Sequence, residues 1–246
     1  MYINVDKSLL LHLATNFRSM QNTSYLASWS KENIKFVDRG LPRRLFMNGK
    51  MRAVPVWKKG SEVSLWMGPR LAYSVSQRGL AFARDQKDIL ARGFMVEKLV
   101  ATFGEMDCRM YLGLPDKRYR DPHWVEDYCL QVKRLASLIQ AHQVIICGPL
   151  PPSNFAKFNP NFPTRGQIES RINGAKWLTE TLTAKALLIS PGYVVVDLFE
   201  IFATTDQTLD RKYSSDGIHL NKRGSERLRQ VLDQNSAHRF CSIRQS

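Results

Sequence analysis

The segment Ser215-Asp216-Gly217-Ile218-His219 places a carboxylate three residues before an imidazole, in a loop that contains a glycine. An aspartate at this spacing can hold a histidine in one tautomer and stabilise its protonated form, which a histidine needs in order to act as a general base. A helical pattern follows over residues 222–233, so this loop leads into the last helix of the chain. Asp216 and His219 are therefore candidates for a catalytic pair, and the alternative role of a histidine near a helix start is that of a cap or a packing residue.

A second charged segment, Gly104-Glu105-Met106-Asp107-Cys108-Arg109, follows an apolar run over residues 96–103. If the backbone stays extended, Glu105, Asp107 and Arg109 project to one side. Two interpretations are open, a substrate-binding edge and a structural ion-pair network. Arg109 is the candidate for an anionic ligand, because its planar guanidinium matches a carboxylate or a phosphate.

Strand and helix patterns alternate along most of the chain, which predicts βαβ crossovers in a mostly parallel, three-layer α/β/α sheet. In such sheets, ligands bind beyond the carboxyl ends of the strands. Residues 8–29 have a helical or mixed pattern, so we predict an N-terminal helical extension over residues 1–32 and one globular domain over residues 33–246. The predicted strands cover residues 34–37, 53–57, 96–103, 144–148 and 194–198, and the predicted helices cover residues 121–142, 165–187 and 222–233.

Three segments together resemble one family of enzymes. Residues 213–221, Tyr-Ser-Ser-Asp-Gly-Ile-His-Leu-Asn, followed by Gly224, resemble the last motif of the SGNH (GDSL-like) hydrolases. Residues 103–109, Phe-Gly-Glu-Met-Asp-Cys-Arg, are similar to the F-G-E-I-D-C-R signature of a bacterial branch of that superfamily, and residues 66–73 resemble the segment that precedes it there. The resemblance covers about residues 33–233.

The resemblance implies a flavodoxin-like sheet and acyl-ester chemistry without a cofactor or a metal. A family member uses a serine at the end of the first strand as nucleophile, a glycine and often an asparagine as oxyanion donors, and the Asp/His pair as orienter and base. It also implies an acyl or carbohydrate ester as ligand. The substrate-binding candidates follow the predicted strands: Asp38, Arg39, Gly68, Gly104, Glu105, Asp107 and Arg109.

The family's first motif, G-D-S, has its counterpart at Val37-Asp38-Arg39-Gly40, so Arg39 falls on the nucleophile position. A guanidinium stays protonated at physiological pH and cannot attack an ester. Met106 also stands where many members have the oxyanion asparagine. These departures favour a catalytically impaired or non-catalytic module that binds a ligand or acts in an assembly. The alternative is an active ester hydrolase or O-acyltransferase with a displaced nucleophile, for which Ser74, Ser76 and Ser215 are candidates, or a water activated by Asp38.

The chain has a formal net charge of +14, and residues 31–120 contain nineteen Lys and Arg against nine Asp and Glu. This excess favours an anionic partner, which could be an acidic protein, a glycan or a nucleic acid. The four cysteines stand singly, without the spacing of a zinc site. The first apolar run is too short and too polar for a signal peptide or a membrane span, so we expect a cytoplasmic protein.

Overall fold

Six strands form the central sheet of this protein, in a computed structural model that describes residues 8–14, 44–47, 50–53, 56–59, 62–66, 71–78, 95–138, 141–156 and 163–237. The order across the sheet is β4-β5-β1-β6-β7-β8, where β4 is antiparallel to β5 and the other neighbours are parallel. A separate antiparallel pair, β2 and β3, stands outside this sheet. The strands are β1 (Ser8–Ala14), β2 (Arg44–Met47), β3 (Lys50–Ala53), β4 (Val56–Lys59), β5 (Glu62–Trp66), β6 (Met95–Thr102), β7 (Gln143–Cys147) and β8 (Val194–Val196).

The five parallel strands follow the flavodoxin-like order, in which the first strand lies between the second and the third. They also end on one row, because the last residues of neighbouring strands are paired: Trp66 with Ala14, Ala14 with Thr102, Thr102 with Cys147, and Cys147 with Val196. The segments that leave these strands therefore start from one edge of the sheet.

Helices cover the sheet and complete the three layers. The helices predicted over residues 121–142 and 165–187 form α3 and α4, and the helix predicted over residues 222–233 forms α6. The helices are α1 (Ala72–Arg78), α2 (Glu105–Asp107), α3 (Pro122–Leu138), α4 (Ile168–Ile189), α5 (Leu198–Phe202) and α6 (Lys222–Ala237), with a π-helical turn at Cys108–Leu112 and a 3-10 turn at Lys117–Arg120.

Two hydrophobic cores lie on opposite faces of the sheet, because successive side chains of a strand point to opposite sides. Leu99 and Ala101 of β6 join the core formed with α1, α3 and α4, whereas Val100 joins the core formed with α5 and α6. Strand β7 alternates in the same way. Both faces of these strands are buried, which explains their continuous apolar sequences.

The hydroxyl of Tyr128, in the middle of α3, is buried without a hydrogen-bond partner among the residues that the structure describes. Its ring is 1% exposed and packs edge-on against Phe103. A buried hydroxyl without a partner loses its hydration and gains nothing in return. We therefore expect Tyr128→Phe to raise the free energy of unfolding by about 1 kcal/mol. Urea denaturation measures this change, and a loss of stability in the variant would contradict it.

The predictions of strands at 96–103, 144–148 and 194–198 are confirmed to within two residues by β6, β7 and β8. The three predicted helices are confirmed as α3, α4 and α6. The single strand predicted over 53–57 is wrong, since two strands, β3 and β4, lie on either side of residues 54–55. Pro55 stands between them and lacks the N–H that an uninterrupted strand would use.

The helical prediction for residues 8–29 is wrong over Ser8–Ala14, which form β1. This strand hydrogen-bonds to β5 on one side and β6 on the other, so it belongs to the centre of the sheet and not to an N-terminal extension. The predicted boundary at residue 32 therefore does not separate residues 8–14 from the domain. The strand predicted over residues 34–37 lies outside the described residues.

Candidate active site

The loop before α6 holds Asp216 and His219 in direct contact. Nδ1 of His219 hydrogen-bonds to Oδ2 of Asp216, while Oδ1 of the same carboxylate accepts the backbone N–H of His219 at 2.8 Å and of Ile218 at 2.9 Å. Both side chains are largely buried, with 11% of His219 and 14% of Asp216 exposed. The bond to Nδ1 leaves Nε2 as the nitrogen that can take up a proton.

Asp216 stays ionised because of these contacts. Burial by itself would raise its pKa, but the hydrogen bonds from the His219 ring and from two backbone N–H groups hold the pKa well below the usual range. A carboxylate that keeps its charge can stabilise an imidazolium beside it without taking the proton itself. The pair therefore has the geometry and the charge of a base with its orienting group.

Gly217 makes the tight turn between the two residues possible. Its φ is +76°, and a Cβ at this position would lie 2.5 Å from Oγ of Ser153 and 2.7 Å from Cα of Ala156. A side chain would therefore be strained and would also collide with the loop that follows β7. The glycine allows the loop before α6 to pack closely against that neighbouring loop.

Glu105 and Arg109 form an ion pair near the Asp216–His219 pair. Nε of Arg109 lies 2.9 Å from Oε1 of Glu105, and Nη2 donates to Oε2 at 3.4 Å. Burial raises the pKa of Glu105, although Arg109 and His219 act in the opposite direction. The charges of His219 and Asp216 thus reach Glu105, which places these four groups in one electrostatic cluster.

The charges of residues 105–109 do not project to one side, contrary to the prediction for an extended chain. Gly104, with a φ of +103°, turns the chain directly from β6 into the α2 helical turn. Glu105 and Arg109 are then one helical turn apart and pair with each other, while Asp107 points elsewhere. A Cβ on Gly104 would also lie 2.9 Å from the terminal Cδ2 of Leu178, so the positive φ is the main reason for glycine at this position.

Asp107 has a structural role and is not available to a substrate. Its side chain is fully buried, and its two carboxylate oxygens accept the backbone N–H groups of Ala72 at 2.8 Å and Tyr73 at 3.1 Å. These N–H groups belong to the first turn of α1, where a helix has no internal partners for them. Asp107 therefore caps α1 and ties the start of this helix to the turn that follows β6.

The alternative serines do not contact the histidine. Oγ of Ser76 donates to the backbone oxygen of Tyr73 within α1, and Ser74 lies on the same helix. Ser215 is exposed. Among the described residues, no serine hydroxyl hydrogen-bonds to the ring of His219, so the structure favours none of these three as the nucleophile.

Asp38, Arg39 and Gly68 lie outside the described residues, and the proposed loss of the nucleophile at Arg39 stays a prediction. That prediction assumed that Asp38 and Arg39 follow the first strand of the sheet. The first strand of the flavodoxin-like order is β1, so the segment that follows the first strand starts at Thr15 and not at Asp38.

Arg171 is a charged residue of this region that the sequence analysis missed. It lies in the first turn of α4, where an arginine usually faces solvent, yet only 7% of it is exposed. Its Nη1 donates to the backbone oxygen of Ser153 at 3.3 Å. Nothing in the sequence around residue 171 indicates this burial, because it results from packing against the loop after β7.

A carbohydrate acetylesterase and a candidate acylhydrolase are among the solved structures with a similar fold. A carbohydrate acetylesterase from Sinorhizobium meliloti is 16% identical, with a TM-score of 0.52 over 94% of this chain and 99% of that chain. A candidate acylhydrolase from Bacteroides fragilis is 15% identical, with a TM-score of 0.52 over 95% of this chain and 88% of that chain. A candidate platelet activating factor protein from Streptococcus pneumonia is 13% identical, with a TM-score of 0.53 over 95% and 86%. None of the family models and none of the curated proteins compared with this chain match it.

The fold of this chain is that of the SGNH hydrolases, as the three motifs predicted. The three-layer α/β/α architecture with a mostly parallel sheet is confirmed. Within the described ranges, no helix is long and apolar enough to cross a membrane. The same residues contain no group of three or more His, Cys, Asp or Glu side chains that could hold a metal ion.

Proposed function

We propose that this protein hydrolyses or transfers acyl esters, with His219 as the general base and Asp216 as the residue that orients it. The observation that carries the proposal is the buried Asp216–His219 hydrogen bond in the loop before α6. The carbohydrate acetylesterase among the similar folds supports a carbohydrate ester as the substrate class.

The proposed reaction starts when Nε2 of His219 removes the proton of a nucleophilic hydroxyl, which then attacks the ester carbonyl. The ionised Asp216 stabilises the imidazolium that forms. When the tetrahedral intermediate collapses, the imidazolium returns the proton to the departing alcohol and an acyl-enzyme remains. Water, activated in turn by His219, releases the acid, or a second alcohol accepts the acyl group.

The nucleophile is expected in the segment that follows β1. The last residue of β1, Ala14, pairs with Thr102 of β6, and Glu105 lies three residues after Thr102. The carboxyl end of the first strand is where a flavodoxin-like sheet presents its ligand site. In the sequence, hydroxyl-bearing residues follow closely, beginning with Thr15 and Ser19.

The competing hypothesis is a non-catalytic module with a disabled triad. It rests on Arg39 following the first strand, whereas Thr15 follows β1, the first strand that the structure describes. Replacing Arg39 with serine separates the two hypotheses, because only a disabled site would gain activity. The nucleic-acid hypothesis depends on net charge alone, and no contact among the described residues favours it.

Labelling with a fluorophosphonate probe tests the proposal. We expect the wild-type protein to be labelled on one residue, and mass spectrometry of the digested protein should find the label within residues 15–43. His219→Ala should lose the label, because the hydroxyl needs the base for activation. Lys185→Ala, a change at a half-buried ion pair between α4 and Glu126 of α3, is the control that should keep it.

Absence of labelling together with absence of ester hydrolysis in the wild type would overturn the proposal in favour of the non-catalytic module. A label on Ser74, Ser76 or Ser215 would retain the chemistry but overturn the position that we assign to the nucleophile.

A further inference from the structure

A small cavity lies beside the catalytic pair, between the loop after β7 and the loop before α6. Gly217 and Ile218, the two residues between Asp216 and His219, form part of its wall. The rest of its wall is formed by α2 and the turn that follows it, by the loop after β7, by α4, and by the chain between α5 and α6: Glu105, Cys108, Arg109, Ser153, Arg171 and Leu209.

Three of the residues that line this cavity carry charge, and two of them neutralise each other. Glu105 and Arg109 form the ion pair described above. Arg171 is the third, and none of the ion pairs found among the described residues includes it. Within the part of the chain that the structure describes, its guanidinium donates to the neutral backbone oxygen of Ser153, and its buried Nε has no hydrogen-bond partner. The cavity wall therefore holds two guanidinium groups for one carboxylate.

Burying a guanidinium that lacks an anionic partner is unfavourable, because the charge loses its hydration without an ion pair in return. Packing explains only the aliphatic part of Arg171. Its Cγ lies so close to Gly113 that a Cβ added to this glycine would be 2.6 Å from it. A neutral side chain could fill that space and could also donate to the oxygen of Ser153. Glu105 and Glu169 offset part of this cost by Coulomb attraction, but neither carboxylate forms an ion pair with Arg171 among the described residues.

We propose that Arg171 binds a carboxylate group of the ester substrate, so that the preferred substrates are acyl esters of molecules that carry an acid. The cavity has a volume of about 20 Å³, which is room for one or two water-sized groups and so suits a carboxylate better than a bulkier phosphate. Arginine presents two parallel N–H groups to such an anion. This inference rests on the proposed function, because it names the substrate of the same site.

Thermal denaturation in different salts tests the binding site without any assay of catalysis. At constant ionic strength, we expect saturating sodium acetate to raise the Tm of the wild type by about 3 °C relative to sodium chloride. Sodium phosphate should match chloride. Arg171→Gln should lose the acetate shift, whereas Arg134→Gln, which removes the same charge from the exposed face of α3, should keep it.

An acetate shift that survives in Arg171→Gln would overturn the inference, as would equal shifts by acetate and phosphate or no acetate shift at all in the wild type. If Arg171→Gln does not fold, Arg171→Lys provides the test. Lysine keeps the charge but lacks the paired N–H groups, so acetate binding should weaken by about tenfold. Unchanged binding in the lysine variant would also contradict the proposal.

A kinetic comparison links this cavity to the substrate. The ratio of kcat/KM for 4-acetoxybenzoate to that for its methyl ester measures the preference for a free carboxylate. We expect Arg171→Gln to lower this ratio by about 10- to 100-fold, chiefly through a higher KM for the acid. An unchanged ratio would overturn the inference while leaving the proposed function intact. If the wild type hydrolyses neither ester, the proposed function fails, and the acetate titration still decides whether Arg171 binds a carboxylate.

Discussion

Replacing His219 with alanine is expected to lower kcat/KM for ester hydrolysis by at least about 1,000-fold, because the change removes the base that we propose for the nucleophile. Among the described residues, His219 is the only histidine hydrogen-bonded to a carboxylate in this way. Steady-state kinetics with 4-nitrophenyl acetate measure the loss. Circular dichroism should show an unchanged fold, since the backbone contacts of Asp216 do not need the imidazole ring.

Asp216→Asn isolates the orienting role of the carboxylate. The asparagine amide keeps the shape of the side chain but cannot stabilise the imidazolium, so we expect a loss of kcat of about 1,000- to 10,000-fold with a smaller change in KM. Asp210→Asn is the matched control. Asp210 also accepts a backbone N–H two residues ahead, from Lys212 at 2.9 Å, but it has no contact with His219. A loss of less than tenfold in Asp216→Asn would show that this pair is not the catalytic one.

Replacing Asp107 with alanine should reduce the free energy of unfolding by about 3 kcal/mol. The change removes two hydrogen bonds and leaves the N–H groups of Ala72 and Tyr73 buried without partners. Denaturation by urea at pH 7 measures the loss. Activity at a temperature where the variant remains folded should be retained, because the carboxylate faces α1 and not the substrate.

A matched variant exists at the start of α3. Asp121 also accepts a backbone N–H of a helix start, that of His123 at 2.9 Å, but it is exposed to solvent. Water can replace an exposed cap, so Asp121→Ala should lose only about 1 kcal/mol. Equal losses in the two variants would contradict the assignment of Asp107 as a buried cap.

The stability that involves Asp107 should also depend on pH. Burial raises the pKa of its carboxyl group from 3.8 to about 6, although the two backbone N–H groups act in the opposite direction. Between these two values the folded protein binds more protons than the unfolded chain, so this group favours folding more as the pH falls from 7 to 4. The stability of the wild type relative to Asp107→Asn should therefore increase as the pH falls from 7 to 4. A decrease would show that the pKa of this carboxyl group is not raised in the folded protein.

Much of the fold could be predicted from local patterns. The β-branched run in β7 and β8 and the apolar stripe of α3 each depend on residues that are close in the sequence, and the alternation of these elements indicated a parallel three-layer sheet. Strand β1 could not be recognised in this way. Its run of leucines has no strict period, and it is a strand because both of its edges pair with β5 and β6, which lie far along the chain.

Local patterns were enough to predict the three-layer α/β class and the pairing of Asp216 with His219, because two residues three positions apart in a tight loop lie close together. The roles of Asp107 and Arg171, by contrast, depend on tertiary packing. Asp107 caps a helix that begins thirty-five residues before it, and Arg171 is buried by the loop after β7. Their environments consist of groups distant in sequence, and the desolvation and hydrogen bonding that define each role arise only when the sheet brings those groups together.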